Sequence, residues 1–228
     1  MTLIEVIIVC AVGALLAGVA IPIYANGVMS SNRAKCLSNM RQIGMAALLY
    51  AADNGGVLPM TSHSTGDSRF KFNGEWVSTI EYSWIYVLAD YLGKLDEIRI
   101  CPADEKARQK QIRALKATSY VLNDAVFDSD KYRRLSGIPS PSRTAIMFIN
   151  NRPISKTWDH AHCEQWTSWA ALCADIAPDR HRTGAHAADR TKGSANYLYA
   201  DGHVKNIMAS ALKQMLENGE TPWLPGTQ

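Results

Sequence analysis

Met1-Thr2-Leu3-Ile4-Glu5-Val6-Ile7-Ile8-Val9-Cys10, continued by Ala11-Val12-Gly13-Ala14-Leu15-Leu16-Ala17-Gly18-Val19-Ala20-Ile21-Pro22-Ile23, decides the architecture. Every residue from Val6 to Ile23 is apolar or small, and after Glu5 no charge appears until Arg33. About eighteen such residues suffice for a helix to cross a bilayer. A secretory signal has a basic start and an apolar region of about 7–15 residues; this run is longer and starts without a basic residue. A carboxylate at mid-membrane costs roughly 2.5–3.5 kcal/mol on insertion scales, less near an end, and usually marks a function. Glu5 stands at that edge, where the cation at hand is an N-terminal amine.

Residues 30–52 continue as an amphipathic helix. Ala34, Leu37, Met40, Ile43, Ala47, Leu48 and Ala51 recur at three- and four-residue spacing, with Arg33, Lys35, Arg41 and Gln42 elsewhere on the circumference. Asn54-Gly55-Gly56 and Pro59 stop it. One helix from Thr2 to Ala52 is roughly 75 Å long. Its first half has no soluble core to bury it, so it belongs in a membrane or in a bundle of identical helices. Gly13, Gly18 and Pro22 weaken the middle, and an unwound stretch between Gly13 and Pro22 is expected in an assembled state.

The opening Met1-Thr-Leu-Ile-Glu-Val-Ile-Ile-Val9 resembles the Phe-Thr-Leu-Ile-Glu start of mature type IV pilins and type II secretion pseudopilins. Glu5, Gly13 and Pro22 fall where those proteins carry a glutamate, a glycine and a proline. Cys36-Leu-Ser-Asn-Met-Arg-Gln-Ile-Gly44, then Tyr50-Ala-Ala-Asp-Asn54 and Ala195-Asn-Tyr-Leu-Tyr-Ala-Asp-Gly-His-Val204, are similar to pilin-like proteins of planctomycete and verrucomicrobial type. Their C-terminal signature is a histidine, nine residues, then Asp-Gly. Counting back from Asp201, the histidine position holds Thr191, a departure from the pattern.

The resemblance implies a structural subunit, not an enzyme, that polymerises through its N-terminal helix. Glu5 would pair with the Met1 amine of the neighbouring subunit. Its partners would be further copies of itself, the inner membrane before assembly, and the pilus or type II secretion machinery. Its final location would be an extracellular or periplasmic filament. The alternative is a minor pilin or pseudopilin with a surface- or carbohydrate-binding role.

Residues 1–29 form the hydrophobic N-terminal helix; residues 30–228 form a soluble pilin-like domain long enough for a real core. Trp84, Val87, Leu88, Tyr91 and Leu92 share a helical face. Residues 119–123 and 144–150 read as strands, and residues 209–217 as a short helix. Asp201-Gly202 signals a type I′ hairpin turn between strands at 197–200 and 203–207. The 219–228 stretch, with its two prolines, reads as irregular and partly mobile. Helices segregated from antiparallel strands indicate an α+β fold, with a long helix packed on a small antiparallel sheet.

A net charge of +3, with no basic stripe interleaved with aromatics, argues against a nucleic-acid partner. Of five cysteines, Cys10 lies in the apolar span and reads as a small hydrophobe. Cys36, Cys101, Cys163 and Cys173 allow three pairings. Export favours disulfides, and sequence closeness favours Cys163–Cys173, leaving Cys36–Cys101. No Cys-x-x-Cys-His haem motif occurs, and no cofactor is expected. Asp159-His160-Ala161-His162-Cys163, with Cys173, Asp175, Asp179, His181 and His186, supplies zinc-ligand residue types but fits no defined zinc spacing. His160 and His162 are its leading metal candidates, against an ordinary polar loop. A calcium role for Asp201 lacks the acid spacing of an EF-hand.

Overall fold

The computed structural model of the chain describes residues 2–62, 69–72, 75–78, 84–93, 95–155, 157–182 and 188–226. One helix, α1 (Leu3–Asp53), runs without interruption through Gly13, Gly18 and Pro22. Thr2 caps it: its hydroxyl accepts from the Glu5 N–H, and its own N–H donates to Glu5 Oε2 at 2.6 Å. This reciprocal pair is a capping box. At the far end the Gly56 N–H reaches Ala51 O at 2.7 Å, with Gly55 and Gly56 both at positive φ. The stop falls where the Asn-Gly-Gly sequence places it.

A two-stranded antiparallel hairpin follows, β1 (Arg69–Phe72) and β2 (Glu75–Ser78). Three short elements come next: α2 (Trp84–Val87), a 3-10 turn at Ala89–Tyr91 and α3 (Leu95–Ile98). The apolar face expected over 84–92 is thus split into two shorter pieces. After α4 (Lys106–Leu115), the remaining elements build the main sheet and its cover: β3 (Tyr120–Asn123), α5 (Asp124–Phe127), β4 (Ala145–Ile149), β5 (His160–Ala161), α6 (Trp169–Asp175), β6 (Ser194–Tyr199), β7 (Val204–Met208) and α7 (Ala209–Glu217). Strand order is β5-β3-β4-β6-β7.

The fold is α+β, a long N-terminal helix on a five-stranded sheet. One detail departs from an all-antiparallel sheet: β5 pairs with β3 in parallel, through Leu122↔His160 and Asn123↔Ala161. The other pairings are antiparallel. Every residue of β3, β4 and β6 is buried, whereas β7 is an edge strand with one buried residue. Continuous burial means that both sheet faces are covered, which is why Ala145–Ile149 reads as an apolar run rather than an alternation.

One face lies under α1. Cys36, Met40, Ile43, Gly44, Ala46, Ala47 and Ala51 are buried there. Ala34 is exposed, and Leu37 and Leu48 are half-buried, so the packed stripe is rotated from the expected one toward Cys36 and Gly44. The cause is close approach. A Cβ on Gly44 would lie 2.6 Å from Leu198 Cδ1, so any larger residue here would have to push the Leu198 side chain aside. Asn196, fully buried in β6, donates to Arg33 O at 3.0 Å and accepts from Asn206 Nδ2 at 2.9 Å. The opposite face is covered by aromatics: Phe148 meets Trp166 edge-on at 5.0 Å, and Trp166 meets Trp223 at 5.3 Å.

Trp223 corrects the reading of the C-terminal stretch. The segment is irregular, but Trp223 is 1% exposed, its carbonyl accepts from Asn123 Nδ2, and the Pro222 carbonyl accepts from the Ala145 N–H. The segment is therefore anchored to the core at Trp223, while Gly219, Glu220 and Gly226 stay exposed. The Asp201-Gly202 turn also differs from expectation in type. Among residues 200–203 only Gly202 has positive φ, at +89°, whereas type I′ needs two such residues. The Gly202 N–H donates to Tyr199 O and the Tyr199 N–H to His203 O, both at 2.9 Å. This is a three-residue loop ending in a bulge glycine. The Asp201 carboxylate fixes it by accepting from the His203 N–H at 3.1 Å.

Candidate functional site

Two regions of the molecule leave chemistry unaccounted for by the core. The first is the N-terminal half of α1. Fourteen large apolar side chains between Leu3 and Val28 are exposed, among them Leu15 at 72% and Leu16 at 67%. This part of α1 is long and apolar enough to cross a membrane, by length and composition. Full burial of such a side chain contributes about 1.5–3 kcal/mol. The fourteen, exposed by 39% to 79%, leave on the order of 15–20 kcal/mol of burial unrealised in the single chain. An apolar surface of this extent marks an interaction surface for lipid or protein.

Glu5 heads this surface with its carboxylate turned back to the Thr2 N–H. The capping partner was legible in the sequence as Thr-x-x-Glu. Sequence reasoning passed over it because the amine of a neighbouring chain offered a stronger electrostatic partner. Met1 lies outside the described residues. Nothing lies within 4 Å of a Cβ placed on Gly13 or Gly18.

The second region is inside the soluble domain. His160 and His162, the metal candidates, come together with ring centroids 4.9 Å apart, but each is turned to a carboxylate. His160 Nδ1 lies 3.1 Å from Asp159 Oδ1, and His162 Nδ1 lies 2.9 Å from Asp124 Oδ2. Fully buried Asp159 also accepts from the Ser62 N–H and hydroxyl, and Asp124 accepts from the N–H groups of Cys163 and Ala125. Here the two carboxylates fasten the chain after α1, the start of α5 and β5 to one another. The rest of the expected ligand group scatters. Asp175 holds Trp166 Nε1 and Arg152, and Asp179 holds Arg190 and Arg182. His186 lies outside the described residues.

No disulfide is formed, in contrast to the two bridges expected. Cys163 is buried with its thiol directed to Ala161 O at 3.5 Å, while Cys173 is half-buried on α6. Burial pushes the Cys163 thiol well above its usual pKa and that of Cys173 up to about 11. Cys36 and Cys101 do converge, and His181 joins them. One ligand atom from each of the three lies within 4.8 Å of the others. Among the described residues this is the one place where three metal-ligand groups gather so closely.

The three arrive from distant segments. Cys36 comes from the buried stripe of α1. Cys101 follows α3, its N–H held by Ser119 Oγ at 2.8 Å. His181 lies beside the start of β6, exchanging both backbone hydrogen bonds with Ser194. With nine residues between it and Asp201, the signature position is Thr191, whose N–H and hydroxyl are held by the Asp189 carboxylate. The histidine that meets β6 lies ten residues further back, and no sequence spacing reveals it. Burial alone raises a thiol pKa, but contacts from Cys101, His181 and the Tyr120 hydroxyl together pull Cys36 below the usual thiol range. The same thiol pair, with burial, pushes Cys101 well above the usual range.

Comparisons with protein-family models, with curated proteins and with solved structures each found no match.

Proposed function

We propose that this chain is a structural subunit of a type IV pilus-like or pseudopilus filament, held in the inner membrane before assembly and polymerised through its N-terminal helix. The observation that supports this reading is the continuity of α1. One unbroken helix carries an exposed apolar half and a half packed on the sheet. Such a helix can leave lipid only if other apolar surfaces replace the lipid, and identical helices supply them with matching length and register. In that assembly the Glu5 carboxylate exchanges its capping contact for the N-terminal amine of the next subunit. The final location is outside the inner membrane, in the periplasm or on the cell surface, and the assembly machinery is the remaining partner.

Leu16→Asp tests this reading. An aspartate at the centre of a spanning helix costs about 2.5–3.5 kcal/mol. The same charge between packed helices has no partner. Assemblies should be lost while circular dichroism of the full chain in detergent is unchanged. Normal assemblies from this variant would overturn the reading.

A minor-subunit role with a binding function has one observation in its favour. Tyr199 and His203 stack face to face at 4.3 Å on the wall of a cleft of about 370 Å³ lined also by Arg143, Lys205 and Glu220. The exposed His203 ring, backed by the buried Tyr199 ring and flanked by charged groups, suits a sugar ring or a surface polysaccharide. Glycan-array binding that is lost in His203→Ala would favour it over the purely structural reading.

A further inference from the structure

We propose that Cys36, Cys101 and His181 form a buried zinc site that fastens α1 to the sheet. The proposal rests on this cluster alone and stands apart from the filament reading. Its first support is convergence, three ligand atoms within 4.8 Å of one another from three unrelated segments. The second is an unmet need. His181 is 4% exposed, and neither ring nitrogen has a nitrogen or oxygen partner among the described residues; what its ring faces is the Cys36 thiol. A buried polar group left without a partner costs about 1–3 kcal/mol. A disulfide between Cys36 and Cys101 would leave that imidazole unpaired; a cation bound by both thiolates and one ring nitrogen satisfies it.

The donor set selects the metal. Two thiolates and an imidazole are ligands of zinc, and two cysteines with one histidine leave a fourth position for a further oxygen ligand. Hard cations such as magnesium and calcium take oxygen ligands instead. A dication with two thiolates and a neutral imidazole sums to zero charge, the least costly arrangement in a buried site. The Tyr120 hydroxyl, 3.6 Å from Cys36 Sγ, borders the fourth position. Outer contacts already hold the ligands in place. Ser119 Oγ accepts from the Cys101 N–H and donates to Asp104 Oδ2 at 2.5 Å. Asp104 in turn faces Arg180 at 3.2 Å and Arg108 at 3.5 Å. The site is closed to solvent, with Cys36 and Cys101 at 0% exposure. Its role is therefore structural, a cross-link between the long helix and the β6 side of the sheet.

The test uses the full chain in mild detergent, purified without chelator from zinc-supplemented cells. Metal analysis should find one zinc per chain. X-ray absorption of the unmodified protein should show two sulfur ligands at about 2.3 Å and a nitrogen at about 2.0–2.1 Å. Cys36→Ser, Cys101→Ser and His181→Asn should each weaken zinc binding by more than about 100-fold, beyond the loss typical of an outer-shell change. Cys163→Ser, which removes a buried thiol outside the cluster, should retain the metal. Because the ligand variants could unfold, the spectrum of the unmodified chain decides independently. A metal-free chain with Cys36 joined to Cys101, a metal-free chain with both thiols free, or a chain that takes up copper(I) but not zinc would each overturn the assignment.

Discussion

Gly44 gives the sharpest test of how α1 meets the sheet. A Cβ at this position would stand 2.6 Å from Leu198 Cδ1, 3.1 Å from Cδ2 and 3.4 Å from Cγ. Leu198 is 1% exposed, and its strand is paired on both sides. The side chain therefore has little freedom to swing away. Overpacking of this kind costs about 1–3 kcal/mol. Alanine regains about 1 kcal/mol of helix propensity over glycine, so Gly44→Ala alone should destabilise by about 0–2 kcal/mol. Leu198→Ala alone, which opens a cavity, should cost about 2–5 kcal/mol. Together the new methyl occupies part of the space that the leucine vacates. The double variant should be more stable than the sum of the singles by about 1–2 kcal/mol, within the range found for residues in contact. Urea unfolding of the full chain in detergent, followed by tryptophan fluorescence, measures all three. Additive effects within about 0.3–0.5 kcal/mol would show that helix and strand do not touch here.

Glu5→Val should insert into membrane at least as well as the natural chain, because a carboxylate is removed from the span's edge, and should assemble poorly at equal precursor levels; unimpaired assembly would remove the amine–carboxylate pairing from the proposal. Asp128 gives a pH test. Its carboxyl accepts from the Thr61 hydroxyl at 2.6 and 2.8 Å, and desolvation pushes its pKa up from 3.8 to about 6. A carboxyl raised in the folded state binds its proton more tightly there than in the unfolded chain, so stability falls as pH rises from about 3.8 through about 6. The side chain is still reached by solvent, which reduces a full effect of about 3 kcal/mol to about 1 kcal/mol. Relative to Asp128→Asn, the natural chain should lose that amount across this window, and a flat difference would contradict the shift. Alkylation followed by peptide mapping should find Cys173 slowly reactive and Cys163 protected until the protein unfolds; a recovered Cys163–Cys173 peptide would instead restore the bridge expected from sequence closeness.

The long helix and its stop were legible because α1 carries its signals locally, in the apolar run, the Met40 to Ala51 stripe and Asn54-Gly55-Gly56. Strands β3 and β4 were legible because apolar runs end there at turn residues, and β6 and β7 because they flank the Asp201-Gly202 turn. The two-residue strand β5 was not. His160 and Ala161 form a strand only because β3 lies beside them, and a parallel partner leaves no mark in so short a segment. The same holds for Trp223, which reads as part of a proline-bounded tail until the Asn123 amide captures its carbonyl. At the candidate sites, Glu5 announces itself as a charge in an apolar run. The meeting of Cys36, Cys101 and His181 depends on three tertiary packings at once, so each residue has an ordinary local explanation.

The measurement that bears most directly on the filament proposal is cryo-electron microscopy of material sheared or extracted from cells making the full chain. The expected result is a helical polymer whose centre is filled by residues 3–28 of neighbouring subunits, with the segment between Gly13 and Pro22 unwound and Glu5 beside the N-terminus of the next chain. Single copies dispersed in membrane at high expression, with the assembly machinery present and α1 surrounded only by lipid, would contradict it.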